Sequence, residues 1–216
     1  MITVSLPKSV NTEQFNTIRT NIEFSSIDKE RKSLMFTSSM ASEGKSTVAA
    51  NTAVAFARQG KKVLLVDADL RRPTINATFN IQNPVGLTNF LTEKNLNIND
   101  AIYRTSIKNL YVMPSGPIPP NPSELIGSKK MSRVVEALDS AFDLVIYDAP
   151  PVLSVTDAQI LSTKVDGTIL VVRENKTEKV LVKQAVRLIQ HVNGEILGVV
   201  LNDVRGEGSG YYGYYG

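Results

Sequence analysis

The 216-residue chain contains no cysteine. No disulfide framework or thiolate metal cluster can therefore organise it, and the absence fits a reducing cytoplasm. It has one histidine, His191, near the end of a helical pattern, which we read as a surface residue rather than a catalyst. No apolar run approaches the roughly 20 residues needed to cross a bilayer. Met1-Ile2-Thr3-Val4-Ser5 lacks the basic and apolar regions of a signal peptide. Neither sign of charge dominates: 24 Lys and Arg against 21 Asp and Glu leave +3, scattered rather than striped. That pattern argues against nucleic acid as a partner and leaves a weak bias towards anions. Hydrophobic content of 42% and charged content of 21% are those of a globular domain. A chain of this length buries roughly two-thirds to three-quarters of its unfolded surface.

What is present alternates. Short apolar runs at Leu34–Phe36, Val63–Val66, Leu110–Met113, Leu144–Tyr147, Ile169–Val172 and Ile196–Leu201 are continuous, as in strands buried on both faces of a parallel sheet. Helical spacing marks Thr12–Phe24, Ser46–Gln59, Ser128–Phe142, Asp157–Thr163 and Glu178–Val192. The expectation is an α/β fold: a doubly wound, mostly parallel sheet flanked by helices, of the P-loop NTPase type, with its ligand at the carboxyl ends of the strands. Five prolines within Pro114–Pro122 exclude helix and central strand there, leaving a stiff connector into a short helix at Ser123–Ile126. We expect one domain over residues 1–205 and a flexible Gly/Tyr-rich tail over 206–216.

Chemistry-bearing residues cluster at strand ends. After the first strand comes Ser39-Met40-Ala41-Ser42-Glu43-Gly44-Lys45-Ser46-Thr47, and a helix follows. Gly44-Lys45-Ser46 is the core of a P-loop: backbone N–H groups at the helix start wrap a phosphate, Lys45 reaches the outer phosphates, and the Ser46 hydroxyl suits Mg²⁺. Ser39 and Ser42 stand where such loops usually carry glycine, so a capped helix with an incidental lysine remains open for this segment alone. The second strand ends in Asp67-Ala68-Asp69-Leu70-Arg71-Arg72-Pro73, and a later one in Asp148-Ala149-Pro150-Pro151. Asp148 suits a metal held through water. Asp67 suits taking a proton from an attacking hydroxyl. The bland alternative for either is a helix cap or turn residue. At the far end, Tyr211, Tyr212, Tyr214 and Tyr215 fill four of the last six positions, while the preceding 210 residues hold three tyrosines. An aromatic packing or adhesive tail is the alternative to a modification site.

Together the Gly-Lys-Ser-Thr, Val-Asp-Ala-Asp-Leu-Arg-Arg-Pro and Ile-Tyr-Asp-Ala-Pro-Pro motifs, with Gly116–Leu125, resemble the bacterial tyrosine kinases of capsule and exopolysaccharide synthesis, from Glu13 to the tail. The resemblance implies an ATP-dependent autokinase using Mg²⁺. Ser42, Glu43, Gly44, Lys45, Ser46 and Thr47 would hold ATP, with Asn202 reading the adenine; a loop-capping Asn202 is the alternative. Lys45, Asp67, Asp69 and Asp148 would be catalytic, and Ser46, Asp67 and Asp148 would serve the metal. Tyr211, Tyr212, Tyr214 and Tyr215 would accept phosphate. It further implies a homo-oligomeric ring, with an octamer as candidate size, whose interface helix carries Glu13 and Arg19; Asn16 replaces that motif's first arginine. A separate transmembrane activator of the polysaccharide co-polymerase type would recruit this cytoplasmic chain to the inner face of the plasma membrane, and a cognate tyrosine phosphatase would oppose it. Two rivals share the phosphate loop. Partition and cell-division-site ATPases, nucleotide-driven assembly switches, carry a signature lysine at the position of Met40. An idle nucleotide-binding scaffold is the other.

Overall fold

A computed structural model describes residues 1–6, 9–25, 30–82 and 84–204. The tyrosine cluster at 211–215 lies outside the described residues. Seven strands form one sheet in the order β3-β4-β2-β5-β1-β6-β7: β1 (Ser33–Ser38), β2 (Val63–Asp67), β3 (Tyr103–Arg104), β4 (Leu110–Met113), β5 (Leu144–Asp148), β6 (Gly167–Arg173) and β7 (Ile196–Asn202). All neighbours are parallel except the short β3, which runs antiparallel on the β4 edge. The six anticipated strands are all present. Residues of β1, β2 and β5 are buried throughout, which is why their runs show no polar alternation.

The helices are α1 (Ile2–Ser5), α2 (Val10–Phe24), α3 (Lys45–Arg58), α4 (Ile75–Thr78), α5 (Leu87–Thr92), α6 (Pro122–Gly127), α7 (Lys129–Ala141), α8 (Asp157–Ser162) and α9 (Lys179–His191), with a 3₁₀ turn at Ile98–Ala101. On one face α3 lies close against the sheet because Ala49, Ala50, Ala53 and Ala57 leave little bulk beneath it. Outside it, α2 adds Phe15 and Ile22 to the same core as Phe36, Val54 and Ile146. The other core joins Met131, Val135 and Leu138 of α7, Leu161 of α8 and Ile189 of α9 to Leu64, Val145 and Leu170 of the sheet. No helix among the described residues is long and apolar enough to cross a membrane.

The proline-rich connector anchors the start of α5. Leu87 N donates to the Pro114 carbonyl at 2.9 Å and Thr88 N to Ser115 O at 2.7 Å. Gly86 is required for that approach, since a Cβ would sit 2.2 Å from Pro114 O. At the amino ends of the strands, Asp166 plays the corresponding role. One of its carboxylate oxygens accepts from Lys32 N at 2.8 Å, Ser33 N at 3.0 Å and Ser33 Oγ at 3.1 Å, fixing the start of β1 beside β6. Asp166→Ala strips three donors of one acceptor. We expect a loss of about 2–3 kcal/mol in urea unfolding, with Asp166→Asn losing less; a change within error for Asp166→Ala would contradict this role.

Candidate active site

The order of strands reverses beside β1: the chain passes from β1 to β2 and out to β4 on one side, returns to β5 between β2 and β1, then crosses to β6 and β7 on the other. Such a reversal opens a crevice at the carboxyl ends. The loop 39–44 leaves β1 there and runs into α3. The residues after Asp148 are stitched along the end of β1: Ala149 N donates to Phe36 O at 2.9 Å, Val152 N to Ser38 O at 2.9 Å, and the Thr37 hydroxyl to Pro150 O at 2.7 Å. This explains the Asp-Ala-Pro-Pro sequence as a second wall of the phosphate loop. Within that loop Gly44 has φ +89° and Ser42 φ +67°. The left-handed region suits glycine and strains serine, so the missing glycine at 42 has a conformational cost.

Three side chains converge on the Lys45 ammonium: Asp69 Oδ2 at 3.0 Å, Asp148 Oδ1 at 3.2 Å and Ser46 Oγ at 3.2 Å. Burial opposes the charge on Lys45, but Asp148 and then Asp69 outweigh it and its pKa is raised. Asp67 and Asp148 sit side by side in register on adjacent strands, and both are fully buried. Burial raises the pKa of Asp148 against the pull of Lys45 and Ser46. Asp67 is pushed up to about 7, first by burial, then by the charge of Asp148. Its shift is restrained by the Ile75 and Thr74 amides, which donate to Oδ2 at 2.9 Å each; Asp69 N reaches Oδ1 at 3.3 Å. Asp69 Oδ1 in turn accepts from Arg72 N at 3.0 Å.

One atom in this cluster stands out. Asp148 Oδ2 is buried and, among the described residues, makes no hydrogen bond. An unpaired buried carboxylate oxygen beside a serine hydroxyl suits a hard divalent cation such as Mg²⁺, held directly or through water. The donor set therefore fits the expected metal.

Other anticipated residues fall as follows. Glu43 is buried, with one carboxylate oxygen accepting from Met40 N at 3.0 Å and the other from the Thr177 hydroxyl. Asn202, expected to face adenine, donates instead from Nδ2 to Glu43 O at 3.0 Å. Thr47 is exposed on α3. On α2, Glu13 accepts from Asn16 at 3.3 Å and Arg19 is paired with Glu23 at 2.9 Å; these lie on the outer helix, away from the carboxylate cluster. His191 is exposed at the end of α9. A groove of about 690 Å³ runs between α2 and β7 and meets the site only at its Asn202 end.

Sequence reasoning missed a latch. Buried Asp157 accepts from Arg71 Nε at 2.8 Å and Nη2 at 3.1 Å, and from Ser123 Oγ at 2.6 Å. It ties the loop after Asp69 to both α6 and α8, so Arg71 and Ser123, which belong to two separate motifs, serve one purpose. An acidic residue starting a helix was the available signal, and it reads equally well as a cap.

Asp67 supplies a sign-defined test. Unfolded, it ionises near pH 4; folded and without ligand, it keeps its proton to about pH 7. The native state therefore binds more protons between those values. Its contribution to stability is full below about pH 4 and is lost as the pH rises through about 7. We expect urea-derived stability to fall by on the order of 1–3 kcal/mol between about pH 5 and 8, and Asp67→Asn to flatten that slope. An unchanged slope in the variant would contradict the assignment.

Known proteins share this fold. Residues 32–197 match the AAA domain family. The chain is similar to the tyrosine-protein kinase YwqD of Bacillus subtilis (strain 168), 48% identical over 216 residues, covering 100% of this chain and 91% of that protein. The kinase domain of the Escherichia coli tyrosine kinase ETK superposes with a TM-score of 0.92 at 31% identity, covering 99% of this chain and 84% of that one. The septum site-determining protein MinD of Pyrococcus horikoshii, complexed with Mg-ADP, superposes with a TM-score of 0.65 at 26% identity, covering 79% and 69%.

Proposed function

This chain belongs to the bacterial tyrosine-protein kinase family, and from that premise we propose that it transfers the γ-phosphoryl group of ATP to its own tyrosines Tyr211, Tyr212, Tyr214 and Tyr215. The observation that carries the reading is the part-buried Lys45 ammonium gripped by Asp69 and Asp148 at the phosphate loop, with Asp148 Oδ2 unpaired beside it among the described residues.

Each residue of the cluster then has a part. Lys45 exchanges carboxylates for phosphate oxygens when ATP arrives, and the loop amides at the start of α3 take the remaining phosphate charge. Ser46 and Asp148 would hold Mg²⁺, with Asp67 and Asp69 ordering its surroundings. Bound there, the ion neutralises charge on the phosphates. Asp67 takes the phenolic proton as the tyrosine oxygen bonds to Pγ and the β–γ bridging oxygen leaves with ADP. Above about pH 7, where Asp67 is ionised, its carboxylate is suited to accept that proton. Three backbone amides fix its orientation, yet about four acceptor positions exist on two oxygens, so Oδ1 retains a lone pair. A phenol ionises near 10, so it needs such an acceptor during transfer.

The wider setting is part of the same proposal. Residues 1–205 form the catalytic domain and 206–216 the substrate tail. From Asn202 to Tyr211 is nine steps, at most about 30 Å when extended, so the tail starts at the site. A ring built on α2, of octameric size, would deliver it to a neighbour. Arg19 already pairs with Glu23 and Glu13 with Asn16, and each has hydrogen-bonding capacity left for a partner across subunits. Asn202 would turn from Glu43 to the adenine edge. A separate transmembrane activator would bring the protein to the inner membrane face, a phosphatase would reset it, and capsule or exopolysaccharide export is the process regulated. Closer identity to kinases than to MinD, and Met40 in place of the ATPases' signature lysine, favour this over an assembly switch.

Two outcomes test it. With Mg²⁺ and ATP, mass spectrometry of the C-terminal peptide should find phosphotyrosine, and Lys45→Ala should lower the rate at least about 100-fold. Mixing Lys45→Ala protein with tail-deleted protein should phosphorylate the Lys45→Ala tail, as transfer between subunits requires. An unmodified tail in the parent, with ATP hydrolysed instead, would favour the switch.

A further inference from the structure

The phosphate loop has an unusual problem. It lacks glycine at 39 and 42, holds Ser42 at φ +67°, and carries a buried carboxylate, Glu43, in its own turn. A loop of this kind needs something outside itself to keep its amides aimed. Beside Leu153 N on Ser39 O at 3.3 Å and Arg173 Nη1 on Ser42 O at 3.5 Å, two such contacts fall on Glu43, from the turn after β6 and the last residue of β7.

The first comes from the turn after β6. Thr177 N donates to Arg173 O at 3.0 Å, and Arg173 N donates back to Thr177 Oγ1 at 2.9 Å, so the turn is closed on itself and the hydroxyl has one role left. That role is donation to Glu43 Oε1. Glu43 Oε2 accepts from Met40 N at 3.0 Å, bridging the loop from residue 40 to residue 43. The second contact is Asn202, whose Nδ2 donates to Glu43 O and packs on Gly44 so closely that a Cβ there would lie 2.1 Å from it. Arg173 and Asp203 are joined by an ion pair at 2.6 Å, which holds the ends of β6 and β7 together behind both contacts.

We infer that Thr177 is a positioning residue for nucleotide: its hydroxyl orients the Glu43 carboxylate, and Glu43 in turn holds Met40 and the loop backbone in the conformation that receives phosphate. Among the described residues Thr177 is hydrogen-bonded to neither Lys45 nor the three aspartates, and its bond to the phosphate loop is the one to Glu43. The turn at 173–177, remote in sequence from every motif, thereby sets nucleotide affinity. This rests on the kinase reading insofar as the loop receives ATP.

The test uses the full chain with Thr177→Val, which keeps the shape and removes the hydroxyl, and Thr177→Ser, which keeps the hydroxyl. Calorimetry with Mg·ADP avoids turnover, and hydrogen exchange at the Met40 amide reads the clasp without nucleotide. Thr177→Val should weaken Mg·ADP binding roughly tenfold, the scale of one lost hydrogen bond. It should also raise the KM for ATP more than it lowers kcat, and speed exchange at Met40. Thr177→Ser should stay within about twofold of the parent on every readout. Thr177→Val that binds Mg·ADP like the parent, with Met40 equally protected, would overturn the inference. A parent that bound no Mg·ADP would overturn the nucleotide reading itself; faster Met40 exchange in Thr177→Val would still show the clasp in that event, so the two failures are distinguishable.

Discussion

The Lys45 ammonium, held between Asp69 and Asp148, is the contact on which the rest of the site depends. One cation faces three buried carboxylates, because Asp67 lies in register beside Asp148. Burying unmatched charge is costly, and the fold answers in two ways. Asp67 keeps its proton to about pH 7, and three backbone amides converge on its oxygens. What remains unsatisfied is Asp148 Oδ2. A site with an excess of two negative charges when fully ionised is matched by a divalent cation, so the instability of the empty cluster and its fitness for magnesium have one origin.

Around that cluster the structure is arranged to prevent relaxation. Pairing of β2 with β5 keeps Asp67 beside Asp148, and the loops around them are fastened as well. The Asp157 latch on Arg71 and Ser123 fastens the segment after Asp69, while Pro150, Val152 and Ala149 bind the chain after Asp148 to the end of β1, where the phosphate loop starts. Glu43 and Asn202 close the remaining side. The phosphate loop is thus held by Thr177 and Asn202 as well as by its own backbone.

Much of this was legible in the sequence, for identifiable reasons. Strands such as Val63–Asp67 and Leu144–Asp148 are uniformly apolar because they are central, and each ends in a carboxylate where the sheet stops. The rhythm of strand and helix then places Lys45, Asp67 and Asp148 at one rim. Elements shorter than two turns, such as Ile75–Thr78 and Leu87–Thr92, have no period to detect. Strand β3, two residues long, is made by its neighbour and not by its composition. Thr177 carries no local signal either, and the acid at a helix start that Asp157 offers reads equally as a cap, since each acts on a partner more than 80 residues away. For Asn202 the sequence indicated the right neighbourhood, but not that its amide would rest on Glu43.

A crystal structure with Mg²⁺ and a non-hydrolysable ATP analogue tests the central claim most directly. The account predicts that Lys45 Nζ leaves Asp148 for a phosphate oxygen, and that the metal appears next to Ser46 with Asp148 Oδ2 bonded to it or to one of its waters. A triphosphate bound elsewhere on the molecule, with Lys45 still resting on Asp148 and Asp69, would contradict it.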